Sequence, residues 1–96
     1  MGSLDQLRSK SSEIYAIATK HGAGNVRVFG SVARGDARPD SDVDFLIDVV
    51  GPTTPWFPGG LLNDLESLLG RPVDIVVERS LNPLLRDEVL TEAIPL

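Results

Sequence analysis

The sequence lacks the features that mark several classes of protein. It contains no cysteine, which excludes disulfide bonds and cysteine-ligated zinc sites. No apolar run approaches the roughly 20 residues that a membrane-spanning helix requires. The N-terminus also lacks the basic-then-apolar pattern of a secretion signal. From these absences we expect a cytoplasmic protein.

Basic charge is scarce as well. The chain has 9 Lys and Arg against 14 Asp and Glu, and its formal net charge is −5. Sequence-independent nucleic-acid binding depends on neutralising phosphates with Lys and Arg, so we expect no direct binding to nucleic acid. A chain of 96 residues can build one modest hydrophobic core. We therefore expect a single domain spanning residues 1–96.

The apolar periodicity predicts a small α/β (α+β) domain, a mixed sheet backed by helices in the order α-β-β-α-β-α. The predicted helices cover about residues 4–21, 61–69 and 83–90, and the predicted strands cover 25–29, 42–50 and 73–78. Ser3 is the predicted cap of the first helix, and Pro95 is expected to end any regular structure.

The most informative stretch runs from Val28 to Val50. An apolar strand ends at Gly30 and Ser31, and a second strand opens ten residues after Ser31. Residues two apart on a strand point to the same face, so Asp42 and Asp44 present two carboxylates side by side. Close carboxylates repel unless a cation lies between them, and a hard cation such as Mg²⁺ prefers oxygen ligands. The alternative to metal binding is that the two aspartates are merely solvated side chains at the start of a strand.

The residues before the loop suit an anion. Gly30 lets the backbone approach a ligand closely, and Ser31 is placed to cap a short helix whose amide groups face a phosphate. A metal site at Asp42 and Asp44 beside a phosphate site at Gly30 and Ser31 predicts that the protein binds a nucleoside triphosphate.

A third carboxylate has two candidates. Asp48 lies four residues beyond Asp44, about 13 Å along the strand, which is too far for one metal site. Asp74 is the better candidate because it interrupts an otherwise apolar strand. A buried aspartate there is costly without a partner. Pairing of Asp74 with Arg71 is the alternative.

The Gly-Ser pair followed after ten residues by Asp-x-Asp resembles the signature of the DNA polymerase beta-like nucleotidyltransferases. The short chain is similar to their minimal nucleotidyltransferase (MNT) branch, and the likeness runs from Gly30 through the strand that holds Asp74. The resemblance implies a nucleotidyltransferase fold, an enzyme that uses ATP, and two Mg²⁺ ions. It implies catalytic and metal-binding roles for Asp42, Asp44 and Asp74, and phosphate binding by Gly30, Ser31 and Arg34.

The resemblance also implies a partner. Proteins of the MNT branch are typically paired with a HEPN-domain toxin, and some transfer AMP from ATP to a tyrosine of that toxin. This implies a metal-dependent, AMP-transferring antitoxin. Two alternatives stay open: a non-catalytic antitoxin that neutralises its partner by binding, and a small-molecule nucleotidyltransferase, for which 96 residues leave little room.

The sequence assigns no part in the nucleotide site to three further residues. Trp56 and Phe57 lie in a loop rich in proline and glycine, where they either fold back onto the core or form an exposed interface. His21 is expected to lie at a helix end without a catalytic role.

Overall fold

A four-stranded sheet in the order β3-β2-β1-β4 forms the centre of the structure, a computed structural model that describes residues 2–96. The helices are α1 (Ser3–Ser9), α2 (Ser11–Lys20), α3 (Gly30–Arg34), α4 (Gly59–Leu69) and α5 (Pro83–Glu92). The strands are β1 (Ala23–Phe29), β2 (Val43–Val49), β3 (Val73–Val77) and β4 (Ile94–Pro95). Strand β1 is antiparallel to β2 and β4, whereas β2 is parallel to β3. The predicted class, a small mixed sheet backed by helices, is confirmed.

Strand β2 is the centre of the core. Its alternating residues Val43, Phe45 and Ile47 are fully buried, as the period-two pattern predicts. Leu46, on the opposite face, is buried as well. The helices contribute further core residues, among them Leu7, Ile14, Ala18, Leu61 and Leu65. Within the part of the chain that the structure describes, no helix has the length and apolar character to cross a membrane.

The prediction of one N-terminal helix over residues 4–21 is wrong, because the chain forms two helices that meet at Lys10. Ser9 explains the break, since its hydroxyl donates to the Gln6 carbonyl oxygen at 2.7 Å and such side-chain bonds compete with the helix backbone. The predicted cap is also wrong. Gly2 is the N-cap of α1, and the Ser3 hydroxyl accepts a hydrogen bond from Arg71 instead.

The C-terminus contradicts the expectation that Pro95 ends regular structure. Ile94 and Pro95 form the edge strand β4, which pairs with Val28 and Arg27 of β1. An edge strand tolerates proline because one side of its backbone needs no partner in the sheet. The backbone N–H of Leu96 extends this pairing by donating to the Val26 carbonyl oxygen at 3.0 Å. Strand β4 therefore fixes the end of α5 against the sheet.

The two aromatic residues of the 51–60 loop have different positions. Phe57 packs against the hydrophobic core, whereas Trp56 is 91% exposed. The backbone of Trp56 adopts a positive φ of 66°, which is uncommon for a residue other than glycine. Phe57 thus folds back onto the core and Trp56 is exposed, whereas an interface role for Trp56 stays a prediction.

His21 lies at the C-terminal end of α2, as predicted, and joins three parts of the fold. Its Nε2 donates to Asp64 Oδ2 of α4 at 2.7 Å, and its Nδ1 lies 2.5 Å from Thr54 Oγ1. His21 is only 5% exposed, so both ring nitrogens are satisfied within the protein. The cluster connects α2, α4 and the 51–58 loop.

We expect Asp64→Asn to lower the melting temperature at pH 7. The hydrogen bond from His21 lowers the pKa of Asp64 in the folded state, so this interaction stabilises the fold above the carboxyl's unfolded pKa. The stabilisation disappears as pH falls through the folded-state pKa. Thermal melts of wild type and variant between pH 7 and pH 2 should therefore converge at low pH.

Asp87→Asn is the control for that experiment, because Asp87 is an exposed aspartate of α5. We expect its melting curve to follow that of the wild type at every pH. A constant offset between wild type and Asp64→Asn across the pH range would contradict the charge-dependent role of Asp64.

Candidate active site

Asp44 and Asp74 lie side by side on neighbouring strands. They are register partners in the parallel pairing of β2 with β3, so they occupy the same face of the sheet. Asp42 directly precedes β2. The structure therefore brings the three predicted carboxylates to one end of these two strands, whereas their catalytic and metal-binding roles stay predictions.

Asp44 is the electrostatic centre of this group. Partial burial raises the pKa of the Asp44 carboxyl, and the negative charges of Asp74 and Asp42 raise it further. Arg34 acts in the opposite direction. The site thus holds more negative charge than its own cations balance.

The chemistry of the donor set fits Mg²⁺. Carboxylate oxygens are the hard ligands that this ion prefers, and a divalent cation would relieve the repulsion that raises the pKa of Asp44. Among residues 2–96, no three His, Cys, Asp or Glu side chains stand close enough to form a complete ligand set by themselves. Mg²⁺ commonly keeps waters and substrate phosphates in its shell, so a few protein carboxylates suffice to hold it.

Gly30 fits closely against the same carboxylate. It follows Phe29, the register partner of Asp44, and adopts a φ of +72°. A Cβ atom built on Gly30 would overlap Asp44 Oδ2. Glycine is therefore required at this position for both its backbone conformation and its lack of a side chain.

An open cleft of about 450 Å³ lies in front of Gly30 and Asp44. One side consists of β1, α3 and β2, and the other side is α5, which contains no buried residue. The cleft is lined by Phe29, Gly30, Ser31, Arg34, Asp44, Leu85, Glu88, Val89 and Glu92. All three predicted phosphate-binding residues therefore face one cavity together with the central aspartate.

Glu92 is a residue of this site that the sequence analysis missed. Its carboxylate accepts hydrogen bonds from the Gly30 backbone N–H and from Arg34 Nη1, the latter at 3.2 and 3.3 Å. Glu92 is 62 residues from Gly30 in sequence, so no local spacing indicates the contact. The one available signal is its position in the last turn of α5, where a negative charge is unfavourable without a partner.

Arg71 does not pair with Asp74, the alternative named above, and has a contact near the site that was not predicted. Its guanidinium donates to the carbonyl oxygen of Ser41, at 3.0 and 2.8 Å, and to that of Arg38 at 2.9 Å. These bonds hold the loop that leads directly into Asp42. The side-chain direction of Arg71 is set by the fold and could not be deduced from its sequence position.

Asp48, the rejected third carboxylate, lies in a different cluster. It accepts a hydrogen bond from Arg27 Nη2 at 3.0 Å and another from Asn25. Arg27 is 8% exposed and is also paired with Glu78. Asp48 therefore balances a buried cation away from the cleft.

Comparison with protein families gives a direct match. The sequence model of the nucleotidyltransferase domain family matches residues 10–96. A protein of Thermococcus cleftensis named protein adenylyltransferase MntA is 38% identical over 90 residues, covering 85% of this chain and 91% of that protein. A Methanocaldococcus jannaschii protein provisionally named a protein adenylyltransferase is 35% identical over 82 residues, covering 85% of this chain and 88% of that protein.

Solved structures give the same result for the fold. One that is provisionally described as a minimal nucleotidyltransferase has a TM-score of 0.83 and 50% identity, covering 97% of this chain and 95% of that chain. A crystal structure of a toxin–antitoxin complex with AMP-PNP has a TM-score of 0.73 and 23% identity, covering 88% of this chain and 69% of that chain. The second likeness concerns the fold alone.

Proposed function

The chain belongs to the nucleotidyltransferase domain family, and we propose that it is the AMP-transferring antitoxin of a toxin–antitoxin pair. In this proposal ATP donates AMP to a tyrosine hydroxyl of a HEPN-domain toxin. The Thermococcus cleftensis relative, named a protein adenylyltransferase, supports this reaction class. The structural neighbour crystallised as a toxin–antitoxin complex with AMP-PNP has the same fold.

One observation carries the proposal. Asp44 and Asp74 are paired in register, and the Gly30 backbone lies against the Asp44 carboxylate in the same cleft. Nucleotidyl transfer requires a negatively charged platform for a cation beside a group of donors for phosphate oxygens. Asp44 lines the cleft together with the phosphate donors, and Asp74 lies beside Asp44 on the neighbouring strand, which supports the proposal.

The phosphate donors have assigned tasks in this proposal. We call Gly30, Ser31 and Arg34 the phosphate subsite. The Gly30 N–H, the Ser31 hydroxyl and the Arg34 guanidinium would bind the β- and γ-phosphates of ATP, which orients the α-phosphate towards the acceptor. Arg34 is half-exposed, so it can follow the ligand as it enters the cleft.

The carboxylates have the second task. Asp42, Asp44 and Asp74 would hold Mg²⁺, which when bound neutralises triphosphate charge and lowers the pKa of the acceptor hydroxyl. The hydroxyl oxygen then forms a bond to the α-phosphorus, the bond to the β-phosphate oxygen breaks, and pyrophosphate leaves. Asp74, which is exposed on β3, accepts the proton of the hydroxyl.

Mass spectrometry tests this function. The protein is incubated with ATP, Mg²⁺ and the product of a neighbouring HEPN reading frame, and the mass of each protein is measured. We expect the partner to gain one or more AMP units, with the modified residue identified as a tyrosine by peptide fragmentation. The same incubation with the Asp44→Asn variant is the control and should leave the partner unmodified.

The competing functions give different results. A stable complex without a mass increase would indicate a non-catalytic antitoxin and would contradict AMP transfer. Pyrophosphate release that depends on an added small hydroxyl compound, with no modification of the protein partner, would indicate a small-molecule nucleotidyltransferase.

A further inference from the structure

We propose that Glu92 occupies the phosphate subsite when nucleotide is absent and must leave it before a triphosphate binds. The inference rests on the proposed function, because it concerns the residues assigned there to phosphate binding. It means that a side chain in the last turn of α5 competes with the phosphate groups of the nucleotide for their binding site.

The contacts of Glu92 are those that a phosphate oxygen would make. Its carboxylate accepts from the Gly30 N–H and from Arg34 Nη1, which are two of the three donors of the phosphate subsite. Charge-assisted bonds of this kind suit carboxylates and phosphates equally. Only 24% of the Glu92 side chain is exposed, so the carboxylate lies within the cleft and not in bulk solvent.

Glu92 cannot share the Gly30 N–H with a ligand. A backbone N–H makes one good hydrogen bond, so a phosphate oxygen at Gly30 requires that the Glu92 carboxylate move away. Glu92 also adds to the negative charge around Asp44. A bound triphosphate would be repelled by a carboxylate that remained in place.

The position of Glu92 allows it to leave and return. Strand β4 begins at Ile94, two residues after Glu92, and pairs with Val28 of β1. The chain beside Glu92 is thus held at the cleft while its side chain rotates away. The apparent affinity for nucleotide is lowered by the fraction of molecules in which Glu92 blocks the subsite. Its return would favour release of pyrophosphate after transfer.

The variant Glu92→Gln tests the inference with a matched control. Glutamine keeps the size of the side chain but removes its charge, and neutral hydrogen bonds are about half as strong as charge-assisted ones. We expect AMP-PNP with Mg²⁺ to bind the variant about tenfold more tightly by calorimetry, equivalent to about 1.4 kcal/mol. Glu88→Gln removes the same charge from the same cleft, and Glu88 makes no hydrogen bond to the subsite among the contacts of residues 2–96. Glu88 is exposed, so water weakens the effect of its charge, and the affinity of this variant should rise by less than that of Glu92→Gln.

A second measurement detects the contact without nucleotide. In amide NMR spectra of the nucleotide-free protein, the Gly30 resonance should shift in Glu92→Gln and stay in place in Glu88→Gln. Unchanged or weaker AMP-PNP binding by Glu92→Gln would overturn the inference and leave the proposed function intact. So would an equal gain in both variants. If neither wild type nor Glu92→Gln binds AMP-PNP although the Gly30 resonance shifts, the contact exists but the nucleotide site fails, and both proposals are rejected.

Discussion

The variant Asp44→Asn will lose AMP transfer by about 10³-fold or more while its melting temperature stays unchanged or rises. The expected loss is large because the amide removes the central negative charge of the site, on which the proposed function makes cation binding and stabilisation of the transferred nucleotidyl group depend. The measurements are the rate of AMP transfer to the proposed HEPN partner and a thermal melt of the isolated protein.

The stability part of this prediction follows from the sign of a pKa shift. Burial and the neighbouring Asp74 and Asp42 raise the pKa of Asp44, so the folded state binds its proton more tightly than the unfolded state does. Ionisation of Asp44 therefore destabilises the fold as pH rises through this raised pKa. Asparagine removes that effect at pH 7, and the gain in stability should shrink as pH falls.

Asp48→Asn is the matched control on the same strand and the same face. Asp48 pairs with the buried Arg27 outside the cleft, so its loss should lower stability by about 1 kcal/mol. Transfer activity should stay within a few-fold of wild type. The two variants then show opposite patterns, and retention of normal transfer by Asp44→Asn would refute its proposed role.

The sequence predicted those parts of the site that are defined by local spacing. The alternation along β2 buries Val43 and Phe45, which leaves Asp44 on the opposite face. The apolar residues around Asp74 predicted that it lies on a strand. The structure confirms the strand and pairs Asp74 with Asp44. The positions of these two aspartates follow from the two-residue period of a strand, and the turn before them follows from the conformational freedom of Gly30. Both properties can be recognised in one sequence.

The remaining features depend on contacts between distant parts of the chain. The ion pair between Glu92 and Arg34, and the bonds from Arg71 to the loop before Asp42, join residues that no local period relates. Strand β4 was missed for the same reason, because a two-residue strand has no recognisable alternation and exists only through its pairing with β1. Side-chain length and direction decide these contacts after the sheet has formed.

The variant Gly30→Ala should reduce AMP transfer by about 100-fold or more and destabilise the fold by about 2 kcal/mol or more. An L-residue at a φ of +72° is strained by roughly 1–2 kcal/mol. The new Cβ would in addition overlap Asp44 Oδ2, so the carboxylate has to move. Displacement of a catalytic group by about 1 Å is enough for a 10²-fold loss of rate. Urea unfolding and the AMP-transfer assay measure the two effects.

The variant Gly35→Ala separates the two causes. Gly35 has a φ of +82°, close to that of Gly30, but a Cβ there meets no atom within 4 Å. It should therefore show the backbone strain alone, a destabilisation of roughly 1–2 kcal/mol, with transfer within a few-fold of wild type. If the two alanine variants lost activity to the same extent, backbone strain at the ends of α3 would explain the loss. A loss confined to Gly30→Ala assigns it to the groups at Gly30, the Asp44 carboxylate and the proposed phosphate subsite, since the two glycines hardly differ in φ.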